Sequence, residues 1–312
     1  MHVVITHTDL TGQVEDYLRL RRALGFKLRF EGEALPQLVA YLTAAGASTV
    51  TTDLAIAWAG LPQGVKPITL AHRLGTARGF AKYLQTIDPT TQVPPSGIWP
   101  TRSPRPAPYL WSQADIARLL EAARGLTPPL RAATIETLLG LLAVSGMRVG
   151  EARHLTREDV DLVGGVLRIR DAKFDRERLV PLHPSTTQRL RAYAARRDLA
   201  RPTATSPAFF VSSTGAALTY SGVLSSFVEL PTALGLRTAL VQPRMHDLRH
   251  SFAVQTLLDW YRAGVDVNGQ MMVLSTYLGH VHPAGTYWYL SAAPELMELA
   301  AARLTSHAGP RS

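Results

Sequence analysis

GGVLRIRDAKFDRERLVPLHP, residues 164–184, is the stretch that decides how this chain is built. Apolar and charged side chains alternate on either side of a short polar turn, which is the two-residue period of a β-hairpin rather than the 3.6-residue period of a helix. Lys173 lies at the turn. Almost everything around it has the other period. Upstream, WSQADIARLLEAA (111–123) opens with Ser112 three residues before Asp115, in the manner of a capping box. LRAATIETLLGLLAVSG (130–146) then gives an apolar helix closed by Gly146, and both helices read as buried. Downstream, the chain from Pro184 onward is helical in period apart from loops near 201–216 and 235–245. The predicted fold class is mainly α with a small β-hairpin or sheet.

Farther upstream, DPTTQVPPSGIWPTRSPRPAPY (88–109) holds seven prolines, which forbid a regular helix and favour an extended linker. Before it, four segments beginning at Asp9, Glu31, Thr51 and Thr69 carry apolar residues three and four apart with Gly or Pro near their ends. A length of 312 residues also favours two domains over one. The expected division is a helical domain over 1–88, a linker over 89–108 and a second domain over 109–312, with an amphipathic tail helix at about 294–304.

Charge narrows the partners. A net charge of +9 and a pI near 10.1 point to a polyanion, with nucleic acid ahead of a membrane surface because no strongly basic amphipathic helix stands out. The longest apolar run is far too short to span a bilayer, and no cysteine is present for disulfide or thiolate chemistry. A reducing, cytoplasmic setting is the expectation. Only four of the 33 basic residues are lysines, at 27, 66, 82 and 173, so Lys173 is the one lysine beyond residue 82. Lysine, unlike arginine, can serve as a proton donor when its pKa is lowered. In the first domain Arg73, Arg78 and Lys82 lie on one predicted helix, placed either to follow a phosphate backbone or to solvate an outer face.

The chemical candidates fall in order along the second domain: SGMRVGEARHL with Arg148 and Glu151, the hairpin with Lys173, MHDLRHSF with His246 and Arg249, then YLGHVHPAGTYWYL with His280 and three tyrosines. Attack of a phenolate on a phosphodiester builds charge on the non-bridging oxygens, which two guanidinium forks can hold while an acid protonates the leaving sugar oxygen. Such a site needs no metal and no other cofactor. Among the tyrosines, Tyr277 precedes the Leu-Gly turn and is expected to pack on its own helix. Tyr287 and Tyr289 share a face if the segment is a strand and not if it is a helix.

With these motifs in place the chain resembles the tyrosine recombinases of the phage integrase family, including transposon-associated members. Arg148 matches the family's first arginine, and Glu151 the acidic position that commonly follows it. Lys173 falls at the hairpin lysine, His246 and Arg249 in HDLRHSFA match the His-x-x-Arg box, and His280 in YLGH matches the His after a Leu-Gly pair. The family nucleophile usually lies nine residues after that His, which selects Tyr289 and leaves Tyr287 to line the core with Trp288. One departure is visible: the segment DWYRAGVDVNGQMMVLSTY (259–277) is a few residues longer than in the simplest relatives.

The resemblance implies a helical core-binding domain and a catalytic domain that clamp double-stranded DNA, with four protomers on two DNA sites and accessory proteins permitted. It implies strand cleavage through a 3′-phosphotyrosyl link for integration, excision, transposition or resolution. In that chemistry Arg148 and Arg249 hold the phosphate, Lys173 protonates the leaving hydroxyl, and His246 and His280 transfer protons or orient the phosphate. Two other readings compete. A zinc hydrolase would use His246 and His250, four apart on a helix, but Asp stands where such enzymes carry a Glu base, and the arginines and Lys173 are left without a role. A catalytically silent DNA-binding accessory protein would keep the fold and the basic surface without turnover.

Overall fold

In the computed structural model the described residues are 9–101, 107–171, 176–202, 206–280, 282, 284–291 and 295–298. The chain divides into two compact units, residues 1–106 and 107–312. The first unit is built on α1 (Leu10–Ala23), α2 (Arg29–Ala44), α3 (Thr52–Gly60) and α4 (Pro67–Leu84). Polar caps set two of their starts: Asp9 accepts from the Thr11 N–H, and Thr51 accepts from the Leu54 N–H. Leu35, Leu38 and Leu42 recur at the helical spacing on the inner side of α2 and meet Trp58, Phe80 and Leu84 in one apolar cluster.

The proline-rich stretch expected as an extended linker over 89–108 is non-helical where it is described, and its first part is tied to the helical unit. Gln92 donates its backbone N–H to the Val50 carbonyl and accepts from the Thr52 N–H, and Val93 and Trp99 pack on the helical core. Prolines exclude a helix but still leave carbonyls and apolar surface with which residues 88–101 pack along the first unit.

The second unit opens with α5 (Gln113–Arg124), capped as expected by Ser112, whose hydroxyl oxygen accepts from the Asp115 N–H at 3.0 Å. Both helices read as buried in the sequence; in α5 the buried residues are Leu119 and Ala123, whereas α6 (Pro129–Ser145) is buried along most of its length. α7 (Val149–His154) follows, then an antiparallel sheet in the order β1 (Val160–Asp161), β2 (Val166–Asp171) and β3 (Arg176–Pro181). The expected hairpin is β2–β3, while the short β1 has no signal of its own in the sequence. The helices α8 (Pro184–Ala200), α9 (Tyr220–Ala233), α10 (Met245–Arg262), α11 (Val267–Leu278) and α12 (Ala284–Tyr287) come next, and a 3-10 turn over Trp288–Ser291 follows α12. No described helix is long and apolar enough to cross a membrane. Of the tail expected at 294–304 only residues 295–298 are described; there Leu296 is buried in the cluster that includes Leu257 of α10 and Leu274 of α11, and Glu295 pairs with Arg262.

Candidate active site

The site forms where two helices end. α6 stops at Gly146 in the left-handed region (φ 59°), and a Cβ there would lie 2.4 Å from the ring of Phe252, so both conformation and packing demand glycine. Two residues later Arg148 stands at the N-cap of α7. No Ser, Thr, Asp or Asn caps this helix, and the Glu151 carboxylate does the work from inside. Its Oε2 accepts the Arg148 backbone N–H at 2.8 Å and its Oε1 accepts Arg148 Nη1–H at 2.7 Å. Backbone and fork of Arg148 are thereby fixed by one side chain.

α11 ends at Gly279, again left-handed (φ 67°), and His280 follows. The last carbonyls of a helix lack intrahelical donors and carry the negative end of its dipole, which favours cations there. Here three consecutive carbonyls each accept from a different arginine. Arg178 Nε–H donates to Tyr277 O at 3.0 Å, Arg249 Nη2–H to Leu278 O at 2.8 Å, and Arg148 Nη2–H to Gly279 O at 2.8 Å. Arg249 also donates from Nη1 to Gly146 O at 2.8 Å, so one guanidinium joins the ends of α6 and α11.

Arg249 is 2% exposed, whereas the Arg148 side chain keeps 38% of its surface open. Burial lowers the Arg249 pKa, with the neighbouring Tyr289 phenol pulling the other way and Arg148 adding to the shift. A guanidinium remains charged through any such shift, so two fixed positive forks meet beside a phenol.

His246 and Arg249 lie on the first turns of α10, three apart and therefore on neighbouring sides of one helix. His246 keeps an open face, yet the surrounding protein desolvates it, and with Arg249 this lowers its pKa. His280 is displaced further, to about 4, by desolvation first and then by Arg249, Arg148, His246 and Arg178. Its Nδ1 shares a 2.6 Å hydrogen bond with the hydroxyl of Thr286, a residue that is fully buried. Both imidazoles are thus neutral near pH 7 and able to accept a proton. The Tyr289 ring stacks on His280 with centroids 5.9 Å apart and meets His250 edge-on at 5.4 Å. Tyr289 is 2% exposed and Tyr287 49% exposed.

Of the residues singled out in the sequence, Arg148, His246, Arg249, His280 and Tyr289 come together. Lys173 lies outside the described residues, between the ends of β2 and β3. Tyr287 corrects an expectation: it sits on the exposed side of α12, because the segment is helical and residues two apart diverge. Tyr277, expected to pack on its own helix, stacks instead on Phe252 of α10. His250 is enclosed by aromatic rings, with His246 at 4.6 Å and Trp288 at 5.0 Å, and among the described residues no group of three or more His, Cys, Asp or Glu is placed to hold a metal.

In the first unit Arg73 stacks 4.0 Å above Trp58 and donates to its carbonyl, Arg78 donates to Pro94 O, and Lys82 is exposed in the last turn of α4. Arg73 and Arg78 therefore make contacts within their own unit while staying partly open, and Lys82 is the most exposed of the three.

Two participants escaped the sequence reading. Arg178 occupies the inward register of β3, opposite Ile169, while its neighbour Leu179 is 64% exposed. An arginine on the core side of a strand, beside a leucine on the outer side, was the available signal. Thr286 carried none.

The sequence model described as the phage integrase family matches residues 111–295. A putative integrase/recombinase of Sinorhizobium fredii is 46% identical over 93% of this chain and 95% of its own length. A tyrosine recombinase XerD of Pseudomonas putida is 32% identical over 76% of this chain and 75% of its own. Among solved structures, the Tn1549 transposon integrase in complex with transposon right-end DNA superimposes with a TM-score of 0.67 at 16% identity, covering 95% of this chain and 99% of that one. A lambda integrase tetramer bound to a Holliday junction gives 0.56 at 17% identity, over 88% and 78%. At such identities the structures speak to fold alone. The fold agrees with theirs, the matched region contains every residue of the arginine, histidine and tyrosine site, and the chain belongs to the phage integrase family of tyrosine recombinases.

Proposed function

We propose that this protein is a site-specific DNA recombinase that cuts and rejoins double-stranded DNA through a 3′-phosphotyrosyl intermediate. The observation that carries the reading is the meeting of Tyr289 with Arg249 and His280 at the joined ends of α6 and α11, with Arg148 fixed beside them. The Tyr289 oxygen attacks the scissile phosphorus, an O–P bond forms, and the P–O5′ bond breaks. A neutral imidazole, His280 or His246, takes the phenolic proton; the leaving O5′ receives one from Lys173 on the β2–β3 connection. Arg148 and Arg249 hold the non-bridging oxygens as their charge grows. One phosphoester is exchanged for another, so a 5′-hydroxyl can reverse the attack and reseal a strand without an external energy source.

Double-stranded DNA is the partner that the net charge of +9 favours, with the exposed Lys82 as a backbone contact. Four protomers on two DNA sites are the proposed working assembly, by analogy with the lambda integrase tetramer on a Holliday junction. The expected cellular setting is the cytoplasm.

The test is adduct formation on duplex DNA taken from the flanks of the gene. Wild-type protein and Tyr287→Phe should become covalently linked to DNA, whereas Tyr289→Phe should bind the same DNA and form no adduct. An adduct mapped to Tyr287 would overturn the assignment, and wild-type protein that binds without ever linking would favour the silent accessory reading. On DNA with a 5′-bridging sulfur, whose thiolate leaves without an acid, Lys173→Ala should regain the rate it loses on ordinary DNA; equal slowing on both would remove Lys173 from that role.

A further inference from the structure

We propose that Arg178 is a positioning residue of this site, holding Glu151 and the end of α11 so that Arg148 and His280 face the same phosphate. The proposal rests on the phosphate-binding reading of Arg148 given above and adds a residue to which that reading assigns nothing. Arg178 reaches the site from the inward side of β3, where its neighbours in register, Leu167, Ile169 and Val180, are all buried. A strand rarely spends a core position on a guanidinium unless its donors are satisfied.

Here the donors point in two directions. Nη1 and Nη2 form a two-pronged pair with Glu151 Oε1 and Oε2 at 3.1 and 2.8 Å, and Nε donates to Tyr277 O. The same two carboxylate oxygens accept from the side chain and backbone of Arg148. Glu151 is thus a shared anvil between two arginines, and only one of them has substantial exposure: 38% for Arg148 against 15% for Arg178. The exposed fork is left to meet a ligand. The inner fork, committed to carboxylate and carbonyl, fixes where the exposed one stands.

Contact with the His280 turn is equally close. A Cβ on Gly279 would lie 2.7 Å from Arg178 Nη1, so the guanidinium lies directly against the left-handed residue that swings His280 out of α11. Burial works against the charged form of Glu151, and the Arg178 bonds lead the effects that hold its pKa down. Remove Arg178 and a half-buried carboxylate keeps Arg148 as its only strong partner, so it becomes easier to protonate and a poorer anchor.

The experiment compares wild-type protein, Arg178→Met, Glu151→Gln and the double variant. It measures DNA affinity, the rate of covalent complex formation at saturating DNA, and the pH dependence of that rate. Arg178→Met should bind DNA within about threefold of wild type, since the buried fork adds no phosphate contact. It should cleave about 100-fold more slowly, the loss expected from misplacing a reacting group by about 1 Å. Its rate should also fall toward acid pH at a higher pH than wild type, as Glu151 protonates, and this limb should vanish in the double variant.

Because Arg178 works in large part through Glu151, adding Arg178→Met to Glu151→Gln should cost clearly less than it costs alone, the remainder being its direct hold on the end of α11. Multiplied losses in the double variant would overturn the proposal. So would a tenfold loss of affinity with an unchanged rate per bound complex, which would make Arg178 a DNA contact. A wild-type protein that forms no adduct would sink the recombinase reading instead. The Arg178 proposal would then be read from a crystal structure of Arg178→Met, where Arg148 must have left the Gly279 carbonyl; an Arg148 still in place would refute it.

Discussion

The ends of α6 and α11 solve the same problem with different materials. Both helices stop at a left-handed glycine, and both give a carbonyl to Arg249. Around Gly146 the space is filled by Phe252 and Leu278, so that end is held by packing. Around Gly279 the nearest group is the Arg178 guanidinium, and the carbonyls on and before it are held by three cations. Packed carbon fixes a position with little regard to pH or salt, while a charged clamp responds to any change in charge nearby. One end is therefore a mechanical reference and the other is the part that chemistry can bias.

Arg249 belongs to both ends, and its loss should have the largest effect. Arg249→Ala should slow adduct formation at saturating DNA by about 1000-fold, as when a transition-state donor is removed. It should also cost about 2 kcal/mol or more by leaving two carbonyls without their donor, read as a lowered urea midpoint. A variant that lost stability but cleaved normally would make Arg249 a strut and nothing else.

The glycines sharpen the contrast. Gly146→Ala forces a Cβ into an aromatic ring and a left-handed backbone, a cost of about 2–4 kcal/mol in stability. Gly279→Ala meets the far end of a flexible side chain, so it should cost about 1 kcal/mol. Its rate, however, should fall about 10-fold to 100-fold as Arg178 is pushed aside. Denaturant titration alongside single-turnover cleavage measures both, and a reversed ranking in stability would break the distinction between the ends.

At neutral pH the smallest effect is that of His280, which shows itself only as the solution is acidified. His280 has a pKa of about 4 in the folded protein, against an ordinary value of 6.5 in the unfolded chain. The unfolded chain therefore binds a proton that the folded one refuses between those values. The stabilisation is fully present above about pH 6.5 and is lost as pH falls toward 4. Melting temperatures from pH 7.5 to 4.5 should decline less steeply in His280→Gln than in wild type; equal slopes would place the titration elsewhere.

Much of this arrangement was legible before any coordinates. The hairpin alternation, the Ser112 cap and the glycine stops of α6 and α11 are local, so sequence displays them directly. The site residues were found because their spacing resembles a family. What stayed hidden depended on which way a side chain turns in three dimensions. Arg178 and Leu179 are adjacent and exchange the faces their chemistry suggests. Tyr287 and Trp288 looked alike as core residues, yet helical phase puts Tyr287 outside. For Arg73 and Arg78 the sequence left phosphate contact and a solvated face both open, because it does not reveal the contacts they make with Trp58 and the Pro94 carbonyl.

The way α11 is gripped bears on how such a protein can diversify. All three arginine contacts are made with its last carbonyls, and none of them touches its first turn. The connection between the end of α10 at Arg262 and the start of α11 at Val267 lies at the other end of the helix from the clamp. Any length added within that connection lies a full helix away from the three arginines. On α11 itself Met272 and Val273 are exposed, so the helix carries an open face that plays no part in holding its end.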